Sequence, residues 1–374
     1  MTSPKCAVRA LALTAAGAFC VSGPASAAAA GSPVGGPQLS GSGVIVNLVP
    51  GIPPPPAMPG ASFLLADMDT GQILVARAPH ASHLPASTMK ALTALTLIPL
   101  LNPHATIKVT QEDVNVDGTH VGIVPGTAYS VTTLMQGMLM ASGNDAADAL
   151  ARGNQSVAVT VQEMNATAAD LGASDTVARD PSGLDKADQH SSAYDLALIG
   201  RAAMRLPDFR GYVLTKQTSF PGGRSADGEL KQGFTISNHN TLLFNYQGAI
   251  GVKNGYTIAA KFTYVEAATR AGRTYLLSEM ASPIGTWQPA ATMLDWAFAH
   301  GPALTPIGAL VDPGEPAVKK PTIAVIERAD PAPAIARESA RWPAIEGWIG
   351  VAGGMSALAL VGGWAWRDIS GRRR

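Results

Sequence analysis

The 374-residue chain is almost without cysteine: Cys6 and Cys20 are its only two, both near the start. A cysteine framework and thiolate catalysis are therefore excluded for the body of the protein. Charged residues make up only 14% of the chain, and 27 basic residues balance 27 acidic ones. No basic aromatic patch stands out, so nucleic acid is a poor candidate partner. Among the seven histidines, His80 and His83 are close in sequence, but there is no H-E-x-x-H word and no His/Cys pairing. A metal site, and with it any cofactor, is not expected. There is no G-x-S-x-G elbow either, which leaves a Ser-His-Asp hydrolase with little support. No internal repeat is visible.

What is present starts at the two ends. Lys5 and Arg9 precede an uncharged, largely apolar run over 10–21, and Ala25-Ser26-Ala27 offers a cleavage site. Residues 1–27 read as a secretory signal peptide, and both cysteines fall inside it. Phe19 before Cys20 argues against a lipoprotein signal. At the far end, residues 348–366 are nineteen in a row without charge. As a helix they would span ~28 Å, close to a bilayer core. Trp348, Trp364 and Trp366 sit at the ends of this run, and Arg367, Arg372, Arg373 and Arg374 follow it. That places residues 367–374 in the cytoplasm as a basic tail and the bulk of the chain outside, on a single-pass anchor in the cell membrane. Without the signal peptide and tail, the exported part is mildly acidic.

Between these ends, residues 28–60 are rich in Gly, Ser and Pro, with Pro53-Pro54-Pro55-Pro56, and read as an extended spacer. Val44-Ile45-Val46 has the composition of a short strand within it. Residues 61–301 carry the patterning of one globular domain, long enough for a full core. Residues 302–347 turn Pro- and Ala-rich again and read as a linker. Strands are expected at 62–67 and 72–77 around an Asp69-Thr70-Gly71 turn, then near 211–217, 253–268 and 274–280. Helices are expected to dominate from 88 to about 205, with a closing helix at 289–300. The fold class is α+β: an antiparallel sheet flanked by helices, with an inserted all-helical lobe.

Ser87-Thr88-Met89-Lys90 opens the apolar run 91–101. On a helix, residues three apart share a face, so the lysine amine lies over the serine hydroxyl. A serine is a weak nucleophile that needs an adjacent base, and a neutral lysine can serve if burial or a second cation lowers its pKa. Ser142-Gly143-Asn144 follows a helical-looking stretch, and Lys253-Asn254-Gly255 opens a strand.

The ordered set S-x-x-K, S-x-N, K-x-G resembles the active site of the penicillin-binding serine D-Ala-D-Ala peptidases and serine β-lactamases. Neighbouring words agree: 63–74 resembles the first hairpin, 138–147 the second motif in context, 180–185 the loop after it, and 251–257 the third motif. Within that group the chain is most similar to bacterial low-molecular-mass D-alanyl-D-alanine carboxypeptidases. The resemblance implies a sheet-plus-lobe fold with the site between the two. It implies a peptidoglycan stem peptide ending in D-Ala-D-Ala as substrate and β-lactam antibiotics as acylating ligands. Ser87 is then the nucleophile and Lys90 the general base. Ser142 bridges both lysines as a proton relay, and Asn144 orients Lys90 and holds the substrate amide. The backbone N–H groups of Ser87 and Tyr256 form the oxyanion hole. Lys253, Asn254, Gly255 and Thr257 bind substrate.

Asn254 departs from the usual hydroxyl after the third-motif lysine, and Thr257 is the expected substitute donor for the terminal carboxylate. No arginine occurs between Arg273 and Arg328 to clamp that carboxylate; Trp287 falls near its expected place. Two other functions stay open here. A β-lactamase would need fast deacylation, for which no E-x-x-x-N word appears between Ser142 and Lys253. A non-catalytic peptidoglycan-binding module would fit a site degraded at Asn254. An endopeptidase acting on cross-links shares the same mechanism.

Overall fold

The structure is a computed structural model that describes residues 32–225 and 227–312. The expected signal peptide, membrane span and basic tail lie outside the described residues, as does most of the expected linker. Among the described residues, no helix is long and apolar enough to cross a membrane.

The chain enters with β1 (Val44–Val46) and the hairpin β2 (Ser62–Asp67) and β3 (Gln72–Arg77). A 3-10 turn, Ala86–Met89, leads into α1 (Lys90–Leu97). The lobe comprises β4 (Thr106–Lys108), α2 (Gln111–Val114), β5 (Ala128–Ser130), α3 (Val131–Leu139), α4 (Asn144–Asn154), α5 (Val157–Asp170), α6 (Ala193–Ala203) and α7 (Pro207–Leu214). A small arm follows: β6 (Gln217–Phe220), β7 (Gly223–Arg224), β8 (Leu230–Lys231) and β9 (Phe234–Ser237). After α8 (Leu242–Asn245) the chain returns through β10 (Ala249–Thr257), β11 (Lys261–Arg270) and β12 (Arg273–Ser282). It closes with α9 (Gln288–His300) and β13 (Gly308–Ala309).

The main sheet is antiparallel in the order β1-β3-β2-β12-β11-β10, with β13 also on β3. Its two faces carry separate cores. Leu64, Ala66, Val265 and Leu276 pack toward the lobe helices, whereas Phe63, Leu65, Tyr275 and Leu277 pack against Met293, Leu294 and Ala297 of α9. Coverage on both faces explains why β2 reads as a continuous apolar run rather than an alternating one. Helix α1 runs through the lobe core and is buried on nearly all sides. Serine side chains cap α3, α5 and α6, where Ser130, Ser156 and Ser192 accept from the third following N–H. As the end strand of the sheet, β10 leaves one edge unpaired beside the turn that opens α1.

Several boundaries differ from the sequence expectation. The described part of the 28–60 stretch is not a free spacer. Leu39 and Met58 are buried, β1 joins the sheet, and the Trp296 indole donates to the Pro53 carbonyl at 3.0 Å. Few residues there are apolar, but Leu39 and Met58 among them are inserted, and a polyproline segment leaves its carbonyls free to accept. The domain also runs past 301, because Ile307 and Leu310 are buried and β13 pairs with β3. The strand expected at 211–217 is mostly α7, whose start is marked by Pro207 and Asp208 in the first turn. The single strand expected at 253–268 is a hairpin. Its turn residues Ile258, Ala259 and Ala260 carry no Gly, Pro or Asn signal; instead the Ala260 N–H donates to Thr257 Oγ1 at 2.9 Å.

Candidate active site

Ser87 sits in the 3-10 turn Ala86–Met89, at the point where α1 begins. The Pro85 carbonyl behind it accepts from Thr88 Oγ1 at 2.6 Å and from Thr263 Oγ1 of β11 at 2.8 Å, which ties the turn to the sheet. Gly255 of β10 lies directly against the turn: a Cβ there would sit 2.5 Å from the Ser87 backbone nitrogen. The glycine is thus required by contact between strand and nucleophile turn, a more direct reason than clearance for substrate.

Lys90 is fully buried, and its amine makes three hydrogen bonds: to Ser87 Oγ at 3.0 Å, Asn144 Oδ1 at 2.7 Å and the Ser182 carbonyl at 2.6 Å. An ammonium donates all three. A neutral amine donates to the amide and carbonyl, which are acceptors only, and turns its lone pair to the serine hydroxyl. Burial holds the Lys90 pKa well below that of free lysine, and the charge of Lys253 lowers it further against the opposing pull of Asp180 and Asp145.

Asn144, the first residue of α4, is fixed at both ends of its amide. Its Oδ1 faces Lys90 and its Nδ2 donates to the Asp117 carbonyl at 2.6 Å. The amide therefore braces Lys90 against the 117–121 loop rather than standing open to substrate. Ser142 adopts a left-handed backbone, φ 60°, and is buried. Its Oγ accepts from Lys253 Nζ at 3.2 Å, and Lys253 also donates to the Asn254 carbonyl at 2.7 Å. The expected bridge from Ser142 to both lysines is absent, because the third Lys90 bond goes to Ser182 instead. Lys253 is itself fully buried; burial lowers its pKa to about 7 against the opposing charge of Glu266.

Two expected substrate contacts are corrected. Thr257 Oγ1 donates its single proton to Asp185 Oδ1 at 2.9 Å, so it is not free to bind a carboxylate, and its acidic neighbour would repel one. Asn254 enters the cluster through its carbonyl. Its side chain alternates to the face opposite Lys253 and Gly255, opposite Tyr264 in register. Tyr256 follows on that outer face, half-exposed with its ring 4.4 Å from that of Phe262, so only its backbone can face Ser87. Trp287 packs against the outer core.

The sequence reading missed the Ser182 carbonyl. Its position comes from Asp180, whose Oδ1 accepts from the N–H groups of Ser182, Gly183 and Leu184 at 2.8, 2.7 and 3.1 Å. This Asx-type turn was legible in Asp180-Pro181-Ser182-Gly183, but its aim at Lys90 was not. Asp145, in the first turn of α4, clamps the 121–123 loop by accepting from Val121, Gly122 and Ile123 N–H. Asp145 thus has both oxygens on backbone donors, and Asp180 has its Oδ1 on three. Beyond Ser142, a cleft of about 370 Å³ opens between Ala141, His120 and His239.

Residues 52–280 match the D-alanyl-D-alanine carboxypeptidase family. The chain is 41% identical over 256 residues to the D-alanyl-D-alanine carboxypeptidase DacB2 of Mycobacterium tuberculosis, covering 67% of this chain and 86% of that protein. It is 28% identical to DacF of Bacillus subtilis, covering 64% and 62%. The crystal structure of a D-alanyl-D-alanine carboxypeptidase from M. tuberculosis H37Rv superposes with a TM-score of 0.65 at 40% identity, over 70% of this chain and 98% of that one. The Streptomyces K15 DD-transpeptidase superposes with a TM-score of 0.63 at 28% identity, over 66% and 100%. With its serine, two lysines and asparagine gathered at one sheet edge, the chain belongs to the D-alanyl-D-alanine carboxypeptidase family of serine peptidases.

Proposed function

We propose that the protein removes the terminal D-alanine from peptidoglycan stem peptides through an acyl-enzyme on Ser87. The observation that carries this reading is the Lys90 hydrogen-bond set, in which a buried amine of lowered pKa spans the serine hydroxyl, an amide oxygen and a carbonyl. Lys90 accepts the Ser87 proton as Oγ attacks the carbonyl between the two D-alanines. The Ser87 and Tyr256 N–H groups hold the developing oxyanion, each donor contributing about 3 kcal/mol. Lys253 and Ser142 pass a proton to the leaving amine. The terminal carboxylate is drawn toward Lys253, and the freed D-alanine leaves through the cleft past Ala141. Water then hydrolyses the acyl-enzyme by the reverse proton path.

β-Lactams acylate Ser87 by the same first step. Their adducts persist, because Asp145 has both oxygens on backbone donors and Asp180 Oδ1 is held by three N–H groups of its own loop. This favours a peptidase over a β-lactamase. In the cell, the signal peptide at 1–27 and the anchor at 348–366 place this chemistry on the outer side of the membrane.

The test is D-alanine release from a synthetic pentapeptide ending in D-Ala-D-Ala by the full chain. Release that disappears in Ser87→Ala is expected. Tight peptide binding without release would support the binding module instead.

A further inference from the structure

The hydrogen bond between Thr257 and Asp185 ties the end of β10, four residues along the strand from Lys253, to the 180–185 loop. Asp185 is exposed and, among the described residues, Thr257 is its hydrogen-bond partner; Oδ2 has none. The following Lys186 is also exposed, and its charge is felt by Asp148 on α4. The loop itself is rigid, since Asp180 binds three successive N–H groups and Gly183 lies against the Ala86 carbonyl. Asp185 is therefore a fixed negative group beside the end of β10.

The direction of the substrate follows from the site, and the inference rests on the function proposed above. The reacting carbonyl lies at Ser87, beside Gly255 and Tyr256, and the terminal carboxylate lies toward Lys253. Preceding residues must then run the other way, past Thr257. A peptide added to the free edge of β10 is antiparallel to it. With the reacting D-alanine opposite Tyr256, the residue before it lies opposite Thr257. Directly opposed residues project to the same face of a sheet. That face carries Lys253, Gly255 and Thr257, and at Thr257 it meets Asp185.

We propose that Asp185, held in place by Thr257, selects substrates with a cationic side chain on the residue before the reacting D-alanine. The open Oδ2 accepts from the side-chain ammonium, while Oδ1 keeps its bond to Thr257. An exposed pair of this kind changes specificity by about two- to fivefold, and salt weakens it.

The test compares two pentapeptides ending in Lys-D-Ala-D-Ala, one with a free lysine side chain and one Nε-acetylated. The full chain is expected to show a kcat/KM about two- to fivefold higher for the free lysine, with the ratio shrinking as salt rises. Asp185→Asn, which still accepts from Thr257, is expected to bring the ratio to one without changing turnover of the acetylated peptide. Asp185→Lys is expected to invert it. Equal wild-type rates, or a preference that survives Asp185→Asn, would overturn the proposal. If neither peptide is turned over, the proposed function fails separately. Calorimetric affinities of both peptides for Ser87→Ala, with and without Asp185→Asn, then decide the selection by the same ratios.

Discussion

Gly255 lies so close to Ser87 that a Cβ on the glycine would fall 2.5 Å from the serine's backbone nitrogen. The same position would bring it 2.7 Å from Thr263 Oγ1, which fixes the turn from behind through Pro85. Edge strand and nucleophile turn are thus packed backbone to backbone, with no slack for a side chain. Gly255→Ala is expected to slow acylation by a fluorescent penicillin at least ~100-fold, since a misplacement near 1 Å has that effect on aligned groups. Strain is expected to lower stability by about 1–3 kcal/mol. Stopped-flow labelling and urea unfolding measure the two effects.

Ser142 separates stability from function. Its backbone is left-handed, φ 60°, a conformation that costs a non-glycine residue about 1 kcal/mol or more, while its hydroxyl accepts from Lys253. Ser142→Gly is expected to keep or raise the urea midpoint while reducing D-alanine release by ~100-fold or more. A variant that loses stability along with activity would contradict the strain argument.

The pH profile has a sign set by the two lysines. Lys90 must be neutral to accept a proton, and burial together with Lys253 makes that form available well below the pKa of free lysine. Lys253 must be charged, and its pKa of about 7 means that it discharges as pH rises through that value. Acylation is therefore expected to rise on the acid side and to fall on a limb centred near 7. Lys253→Ala is expected to abolish penicillin labelling at every pH; undiminished labelling would refute its role.

Stability depends on pH through the buried carboxylates. Burial raises the Glu279 pKa to about 7, against the Gly60 N–H that donates to it. The unfolded chain loses this proton near the ordinary carboxylate value, and the folded chain keeps it longer. Stability is therefore full below about 4.5 and falls as pH rises toward 7. Glu266, raised to about 8, acts in the same direction. Glu279→Gln is expected to flatten the decline between pH ~5 and ~8, measured by urea midpoints; an unchanged slope would contradict the assignment.

Much of this architecture was legible in the sequence because its signals are local. The first hairpin, the helix after Ser130 and the three motifs each rest on neighbouring residues, and the structure brings the motifs together as their order implied. The parts that were not legible depend on groups that carry no side-chain signature. The third partner of Lys90 is a backbone carbonyl, and nothing in Ser182 itself marks it. Leu39 and Met58 are isolated apolar residues in a Pro/Gly-rich stretch, so their burial depends on the sheet they meet rather than on any period of their own. Thr257 was read as a free donor, because its partner Asp185 lies 72 positions away.

The central claim is that Ser87 becomes acylated because Lys90 takes its proton beside a charged Lys253. Intact-mass and peptide-mass spectrometry after brief exposure of the full chain to benzylpenicillin test it most directly. The account predicts one penicilloyl adduct, carried by the peptide containing Ser87 and lost in Lys90→Met. An adduct on another residue, or labelling that persists without the Lys90 amine, would contradict it.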